Sequence, residues 1–159
     1  MKIISGIWYI CEVKPMKQNN GMTIIAGCGR LGAAIAGRLS DQKQDVLVLD
    51  IDKSAFRKLP GSYGGLTAVG SATDLEKLAS AGLAKASVFI AVTDLDCVNI
   101  CAAQIAKSVF HVPKVVTRVY DEEKTGLLAG SGIETICLPE LAEREVAEFI
   151  SLGGTQNAG

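Results

Sequence analysis

Short aliphatic runs alternate with longer amphipathic stretches along nearly the whole chain after Met22. The aliphatic runs predict β-strands at 23–27, 46–50, 65–69, 87–92, 114–118 and 134–137. The stretches that follow them predict helices at 30–42, 53–59, 74–81, 95–109, 121–130 and 139–151. Continuous aliphatic strands are typical of a sheet that is covered on both faces. The pattern therefore predicts an α/β fold, a doubly wound parallel six-stranded Rossmann sheet in the order 3-2-1-4-5-6.

The first 21 residues do not join this pattern. They contain an apolar stretch with Trp8 and Tyr9, and a polar linker follows at 14–21. We interpret 1–21 as an N-terminal extension, either an extra strand or helix or a start-site artefact, and 22–159 as one domain. The apolar stretch is far shorter than the ~20 residues of a membrane-spanning helix. No clean cleavage site follows it to favour a signal peptide.

Composition and charge narrow the class of protein. The 159 residues are 48% apolar but only 5% aromatic, which fits an aliphatic α/β core. A net charge of −1 with dispersed basic residues gives no indication of a nucleic-acid partner. The five cysteines are an odd number without close pairs, which argues against a disulfide framework. With a single histidine and no C-x-x-C motif, we predict no metal site.

A glycine motif, G-x-G-x-x-G, lies at 27–32 between the first predicted strand and the first predicted helix. We expect Gly27 to allow the tight turn, Gly29 to let a pyrophosphate approach the backbone, and Gly32 to let the helix pack closely on the strand. The start of that helix directs free N–H groups at a phosphate. Arg30, in the first turn, adds a cation. An ordinary βα turn is the alternative.

An acidic residue ends the second predicted strand. Asp50 follows Gly32 by 18 positions, close to the ~20 expected in a dinucleotide-binding unit. Its carboxylate would accept hydrogen bonds from the ribose hydroxyls of an adenosine. Its charge would repel a 2′-phosphate, so NAD or an adenine nucleotide is favoured over NADP.

Polar residues also follow the other strands on this side of the predicted sheet. Asp52 either caps the next helix or touches the ligand. The turn at 70–74 could hold an adenine ring, and Asp74 could bind its amino group or cap a helix. Thr93 and Asp94 are expected near the phosphates or the second half of a dinucleotide, and either could also cap the helix that follows.

Taken together, the motifs resemble the TrkA-N domain family, whose members are also called RCK or KTN domains. The segments that carry the resemblance are 27–32, 49–53, 70–74, 81–83, 89–94, Asn99, 117–121 and 132–134. They span nearly all of 22–150, and their order is more specific than the glycines alone. The resemblance implies a regulatory domain that binds NAD(H), ATP, ADP or AMP and gates K⁺ flux through a membrane-embedded potassium channel or transporter.

The motif and the resemblance together give a set of candidate cofactor-binding residues. They are Gly27, Cys28, Gly29, Arg30, Leu31, Gly32, Asp50, Ile51, Asp52, Lys53, Ser71, Ala72, Thr73, Asp74, Val92, Thr93, Asp94, Asn99 and Arg118. The alternative for Arg118 is a surface ion pair with Asp121 or Glu122. Glu140 matches an acid that holds a nucleotide-associated cation in some members, although a first-turn Glu also favours a helix start.

The resemblance also implies partners and a location. We expect a cytoplasmic protein that forms a homodimer or a larger ring and reaches the inner face of the membrane through its partner. The chain lacks the C-terminal lobe often present in the family and encodes no pore helices. We therefore expect it to act in trans or to be a fragment. The apolar stripe of the last helix, which includes Leu141, Val146, Phe149 and Ile150, belongs either to the core or to a contact with a partner subunit.

Two other functions compete with the regulatory one. An NAD-dependent oxidoreductase, or its cofactor-binding half, would need a substrate region and a proton-transfer group near the cofactor. We assign no catalytic residue, because no such region follows and His111 precedes the fifth predicted strand, at the other end of the sheet. Oxidation of Cys28 inside the glycine loop would make a redox sensor, whereas a tolerated small residue is the simpler interpretation.

Overall fold

The computed structural model describes residues 21–153, so the predicted extension lies outside the described residues except for Gly21. The strands are β1 (Thr23–Ala26), β2 (Val46–Asp50), β3 (Leu66–Val69), β4 (Val88–Ala91), β5 (Lys114–Val119) and β6 (Glu134–Cys137). The α-helices are α1 (Arg30–Asp41), α2 (Leu75–Ser80), α3 (Asp96–Gln104) and α4 (Leu138–Gly153). No helix among the described residues combines the length and apolar character needed to cross a membrane.

The sheet confirms the predicted fold. Its six strands lie in the order β3-β2-β1-β4-β5-β6, and every neighbouring pair is parallel. The central strand β1 pairs with β2 on one side and β4 on the other, so that Ala26 lies between Leu49 and Ala91. The carboxyl ends of these three strands are therefore level. The strand order reverses between β1 and β4, which is where ligand crevices form in such sheets.

Both faces of the central strands β1, β2 and β4 are buried, because successive residues alternate between two hydrophobic clusters, whereas the edge strands β3 and β6 are mostly exposed. Ile24 and Phe89 belong to the cluster that also contains residues of α2 and α3. Ile25 and Val48 belong to the cluster that contains residues of α1. All four of these side chains are fully buried. The aliphatic runs are thus the middle layer of three, which fixes the strand ends rigidly.

Two of the predicted helices are shorter and tighter than expected. The segment predicted as a helix at 53–59 is a 3₁₀-helix at Lys53–Lys58, and Leu59 leaves it in an extended conformation before Pro60. The one predicted at 121–130 is a 3₁₀-helix at Glu122–Leu128, with a glycine in its interior. The stretch predicted as one helix at 95–109 is α3 followed by a π-helical turn.

Helix α4 is not part of the core. Its apolar residues Val146, Phe149 and Ile150 are 58%, 76% and 69% exposed. Among the described elements, α4 packs beside β6, which forms one edge of the sheet. The interpretation of the last helix as core is therefore wrong, because α4 follows the edge strand β6 and the two hydrophobic clusters contain no described residue of α4.

Candidate functional site

The glycine loop connects β1 to α1 in a close turn that leaves no space for a side chain at Gly27 or Gly32. Gly27 has φ +103°, and a Cβ there would lie 2.8 Å from the backbone nitrogen of Thr93. A Cβ on Gly32 would overlap the carbonyl oxygen of Gly27. Gly29 faces open space, with the Asp94 carboxylate 3.9 Å from a Cβ placed there. The loop thus approaches the end of β4 and leaves its middle accessible to a ligand.

The carboxylate of Asp50, at the end of β2, holds this loop in place through a hydrogen bond. Its Oδ2 accepts a 2.6 Å hydrogen bond from the backbone N–H of Cys28, and its Oδ1 accepts one of 2.9 Å from the N–H of Asp52. The sequence indicated a ligand role for Asp50 but not this structural one. Each carboxylate oxygen can accept further hydrogen bonds, so Asp50 retains acceptor capacity toward a ligand.

On the other side of the loop, the chain after β4 is held by the side chain of Asn99, which is fully buried. Its Oδ1 accepts hydrogen bonds from the backbone N–H and the hydroxyl of Thr93 (2.8 and 2.7 Å). Its Nδ2 donates to the carbonyl oxygens of Thr93 and Arg118 (2.9 and 3.1 Å). This one amide therefore satisfies the backbone of Thr93 and ties β4, α3 and β5 together at the carboxyl end of the sheet.

Arg118 supports the same residue from β5. Its Nη2 donates a 2.6 Å hydrogen bond to the carbonyl oxygen of Thr93 and lies 3.8 Å from the carboxylate of Asp94. The alternative pairing with Asp121 or Glu122 is wrong, because among the described residues Arg118 pairs with Asp94, and Asp121 pairs with Lys124 at 3.1 Å. Asp94 is almost fully exposed, so its ion pair contributes little to stability. The hydrogen bond to Thr93 is the more important contact of Arg118.

These segments enclose a cavity of about 310 Å³ at the carboxyl ends of the strands. This volume lies at the lower end of the range for small-molecule sites. The lining residues are Gly27, Gly29, Leu49, Asp50, Ile51, Gly70, Ser71, Ala72, Val92, Thr93, Asp94, Leu95 and Val98. Two of them, Ile51 and Leu95, are large apolar side chains that are mostly exposed. The cavity thus combines a polar loop for phosphates with apolar walls suited to a flat ring.

Several candidate residues lie around this cavity without lining it. They are Cys28, Arg30, Leu31, Gly32, Asp52, Lys53, Thr73, Asp74, Asn99 and Arg118. Asp52 accepts hydrogen bonds from Ser54, and Asp74 accepts them from the N–H groups of Glu76 and Lys77. Both aspartates are therefore helix caps. Arg30 is exposed on the outer side of α1, where it lines a different groove.

The apolar lining residues Leu49, Leu95 and Val98 and the backbone at Gly70 were absent from the candidate set. The signal that could have identified Leu95 is its position directly after β4, at the edge of the sheet where ligands bind in such folds. Leu95, not Thr93 or Asp94, is the N-terminal cap residue of α3, and no side chain caps that helix. The capping interpretation of Thr93 and Asp94 is therefore wrong.

Asp96 has a role that the sequence did not indicate. Its two carboxylate oxygens accept hydrogen bonds from the backbone N–H groups of Tyr120 and Asp121, each 2.9 Å long. The first turn of α3 is thereby joined to the chain that leaves β5. A short-range pattern gives no sign of this contact, because the bonded groups are separated by 24 and 25 positions.

The environment of Cys28 does not favour a reactive thiol. The side chain is fully buried, and burial raises its pKa, as does the nearby carboxylate of Asp50. Oxidants react with the thiolate, and both effects disfavour that form.

The pKa of Asp52 is lowered by its hydrogen bonds from Ser54. Residues 21–153 contain no cluster of three or more potential metal ligands. The role of Glu140 toward a nucleotide-associated cation stays a prediction.

Comparison with known proteins places these features in a family. The model of the TrkA-N domain matches residues 23–139. The "Trk system potassium uptake protein TrkA" of Streptomyces coelicolor is 39% identical over 113 residues, which are 71% of this chain and 51% of the relative. The homologue from Pyrococcus abyssi is 35% identical over 104 residues, 64% of this chain and 44% of the relative. The chain thus spans about half the length of these relatives.

Solved structures of other proteins share this fold. The TrkA-N domain of the inner membrane protein YbaL from Escherichia coli has a TM-score of 0.73 at 15% identity and covers 81% of this chain and 96% of that one. The GsuK RCK domain has a TM-score of 0.63 at 25% identity and covers 82% of this chain and 30% of that one. The family resemblance predicted from the motifs is confirmed, and the chain belongs to the TrkA-N domain family.

Proposed function

We propose that this chain is a cytoplasmic regulatory module that binds NAD(H) or an adenine nucleotide and gates K⁺ flux through a separate membrane-embedded channel or transporter. The observation that carries the proposal is the cavity between β1 and β4, with the glycine loop and Asp50 on one side and Thr93 on the other. Relatives over much of the chain are named for potassium uptake, which supports the role in transport.

In the proposed complex, the phosphates lie against the backbone at Gly29 and the start of α1, where N–H groups are free of helical partners. The adenosine ribose bonds to Asp50, and the adenine ring lies between Ile51 and the turn at Gly70–Ala72. The negative charge of Asp50 makes NADP the poorer ligand. Solved neighbours titled "GsuK bound to ADP", "GsuK channel bound to NAD" and "Kef CTD in AMP bound form" bind ligands of these classes.

Binding would act through the segment that follows β4. Thr93 lines the cavity, while its backbone is held by Asn99 and Arg118 from two other elements. A ligand that contacts this segment favours one conformation of the segment over another. It thereby changes the relative free energies of the subunit arrangements in which the segment has those conformations. The proposed module works as a homodimer or ring, so that such a change is passed to its membrane partner. The size of the response is limited by the difference in ligand affinity between the arrangements.

The two carboxylates that line the cavity have structural partners, since Asp50 accepts a hydrogen bond from the glycine loop and Asp94 pairs with Arg118. These roles support a regulatory function over an oxidoreductase. His111, the one histidine of the sequence, precedes β5 and lies at the opposite end of the sheet. Substrate-dependent reduction of NAD⁺ by the purified protein would contradict this part of the proposal.

The transport role is tested by K⁺ uptake in the cells that make the protein. Cells lacking the chain are complemented with the wild type, with Asp50→Ala, or with Asp45→Ala as the control at the exposed position directly before the same strand. We expect wild type and Asp45→Ala to restore nucleotide-dependent uptake and Asp50→Ala to fail. Equal uptake in all three strains, or no effect of deleting the chain, would contradict the proposed function.

A further inference from the structure

A second cavity lies along the outer side of α1 and shares no lining residue with the nucleotide cavity. It has a volume of about 670 Å³, which lies within the range of small-molecule sites. Small residues of α1, namely Ala33, Ala34 and Gly37, form its floor, and Lys58 and Pro60 form the facing wall. We call this cavity the α1 groove.

The facing wall of the α1 groove is held against α1 at several points. The ring of Pro60 lies so close to Gly37 that a Cβ on this glycine would be 2.7 Å from it. The hydroxyl of Ser40 accepts a 2.9 Å hydrogen bond from the backbone N–H of Gly64. The hydroxyl of Tyr63 lies 3.1 and 2.8 Å from the first carbonyl oxygens of β2 and β3. The groove is therefore formed before a ligand arrives, which lowers the entropic cost of binding.

Three cations line the α1 groove. Arg30 and Arg38 are eight residues apart on one ridge of α1, about 12 Å along its axis, and Lys58 lies on the facing wall. All three are exposed, and the ion pairs found within residues 21–153 involve other residues. The one carboxylate of the lining, Asp41, accepts a 3.2 Å hydrogen bond from the hydroxyl of Ser62. The lining therefore carries a net charge of 3 − 1 = +2.

The position of Arg30 is electrostatically unfavourable without an anion nearby. It is the first residue of α1, and the first turn of this helix contains no acidic residue. A cation there is repelled by the positive end of the helix dipole. The lining of the α1 groove includes Arg30, whereas the lining of the nucleotide cavity does not. An anion in the groove counters this repulsion.

We propose that the α1 groove is a second anion site, which binds a phosphate group, either free or in a lipid headgroup. A phosphate monoester carries a charge of about −1.5 to −2 at pH 7, so one group neutralises the excess charge of the lining. The guanidinium of Arg38 matches two phosphate oxygens, and Lys58 adds a point charge from the facing wall. A protein carboxylate carries one charge and leaves a cation unpaired. The proposal goes beyond the nucleotide-binding function and does not depend on it.

Calorimetric titration of the full chain with sodium tripolyphosphate tests the proposal, with sodium chloride at the same ionic strength as the reference. We expect binding that weakens with added salt. Arg38→Gln with Lys58→Gln should raise the dissociation constant by about ten-fold or more, and Arg38→Lys should have a smaller effect because it keeps the charge. Lys85→Gln with Lys114→Gln removes two exposed cations elsewhere and should leave the dissociation constant unchanged. Equal affinity of the groove variant and the wild type would overturn the proposal.

The phosphate must also be located, because the glycine loop is expected to bind phosphate as well. In ¹H–¹⁵N spectra, tripolyphosphate should shift the amide signal of Gly37 in the wild type but not in the double groove variant. Shifts confined to Gly29 and its neighbours would place all of the phosphate at the nucleotide site and would contradict the proposal. The double groove variant should keep the wild-type thermal shift with NAD⁺, since neither substituted residue lines the nucleotide cavity. A wild type without that shift would count against the proposed function alone.

Flotation with vesicles distinguishes the two sources of phosphate. Flotation that requires phosphatidylglycerol in phosphatidylcholine vesicles, and that is lost in the double groove variant, assigns a lipid headgroup. Tripolyphosphate binding in the groove without flotation assigns a soluble phosphate compound. Citrate at the same ionic strength tests the preference for phosphate, because it offers carboxylates instead. Citrate binding as tight as that of tripolyphosphate, or no binding of either vesicles or tripolyphosphate, would overturn the proposal.

Discussion

A 2.6 Å hydrogen bond joins the backbone N–H of Cys28, in the glycine loop, to the carboxylate of Asp50 at the end of β2. The side chain expected to bind the ligand ribose thus also holds the loop expected to bind its phosphates. The two parts of the site are consequently fixed relative to each other before a ligand arrives, which lowers the entropic cost of binding.

Substitutions of Asp50 should separate its two roles. Asp50→Ala leaves the N–H of Cys28 without an acceptor and should lower the free energy of unfolding by about 1–3 kcal/mol. Asp50→Asn keeps an oxygen for that N–H and should be more stable than Asp50→Ala, but it removes the charge that disfavours a 2′-phosphate. Urea unfolding measures the first effect, and the relative affinity for NADP⁺ measures the second. Asp45→Asn is the control, and equal stability of the two Asp50 variants would contradict this account.

Substitution of Asn99 should lower the free energy of unfolding more than substitution of most other polar residues. Asn99→Leu removes four hydrogen bonds of a fully buried side chain and leaves the N–H of Thr93 without its acceptor, whereas the carbonyl of Thr93 keeps its hydrogen bond from Arg118. We expect a loss of about 1–3 kcal/mol in urea unfolding, the cost of leaving a buried donor unsatisfied. Gln104→Leu, on the exposed side of the same helix, should change stability by less than about 0.5 kcal/mol. Similar losses in both variants would refute the proposed role of Asn99.

Gly32→Ala should disrupt the loop, because the added Cβ overlaps the carbonyl oxygen of Gly27, a backbone atom that cannot rotate away. We expect either no folded protein or a melting temperature lower by about 6 °C or more, consistent with a cost of about 2 kcal/mol or more. Gly61→Ala is the matched control, since a Cβ there has no atom within 4 Å. A Gly32→Ala variant as stable as Gly61→Ala would show that the loop has a different geometry.

The stability of the protein should fall at high pH in part through Tyr63. Burial raises the pKa of Tyr63 to about 12, from an ordinary value near 10. Between these values the unfolded chain releases the phenolic proton and the folded one retains it, so raising the pH favours unfolding. The Tyr63 contribution is therefore intact below about pH 10 and is lost as the pH rises toward 12. Ultraviolet titration of wild type and Tyr63→Phe should show the late phenolate only in the wild type, and a Tyr63 midpoint near 10 would contradict this.

The sheet could be predicted from the sequence because its determinants are local. Each strand is a continuous aliphatic run, and the regular alternation of strands with helices leaves few topologies for a parallel sheet. The glycine loop and Asp50 were found for the same reason, since their spacing reflects one βαβ unit.

The roles of Asn99, Arg118 and Asp96 could not be predicted from the sequence. Each bonds to backbone groups of a different element, and those partners are set by how α3 packs against β5. Helix α4 shows a further limit of prediction from the sequence. Its apolar stripe predicts that another surface covers it, but such a stripe can pack equally well on the core of the same molecule or on another subunit.

The central claim, that the cavity between β1 and β4 is a nucleotide site selective for ligands without a 2′-phosphate, is tested most directly by calorimetric titration. NAD⁺, NADH, NADP⁺, ATP, ADP and AMP are titrated in turn into the wild-type chain, with and without Mg²⁺. We predict one site per chain for NAD(H) or an adenine nucleotide, with NADP⁺ at least about ten-fold weaker, or about 1.4 kcal/mol. Absence of binding by all six compounds, or tighter binding of NADP⁺ than of NAD⁺, would contradict the account.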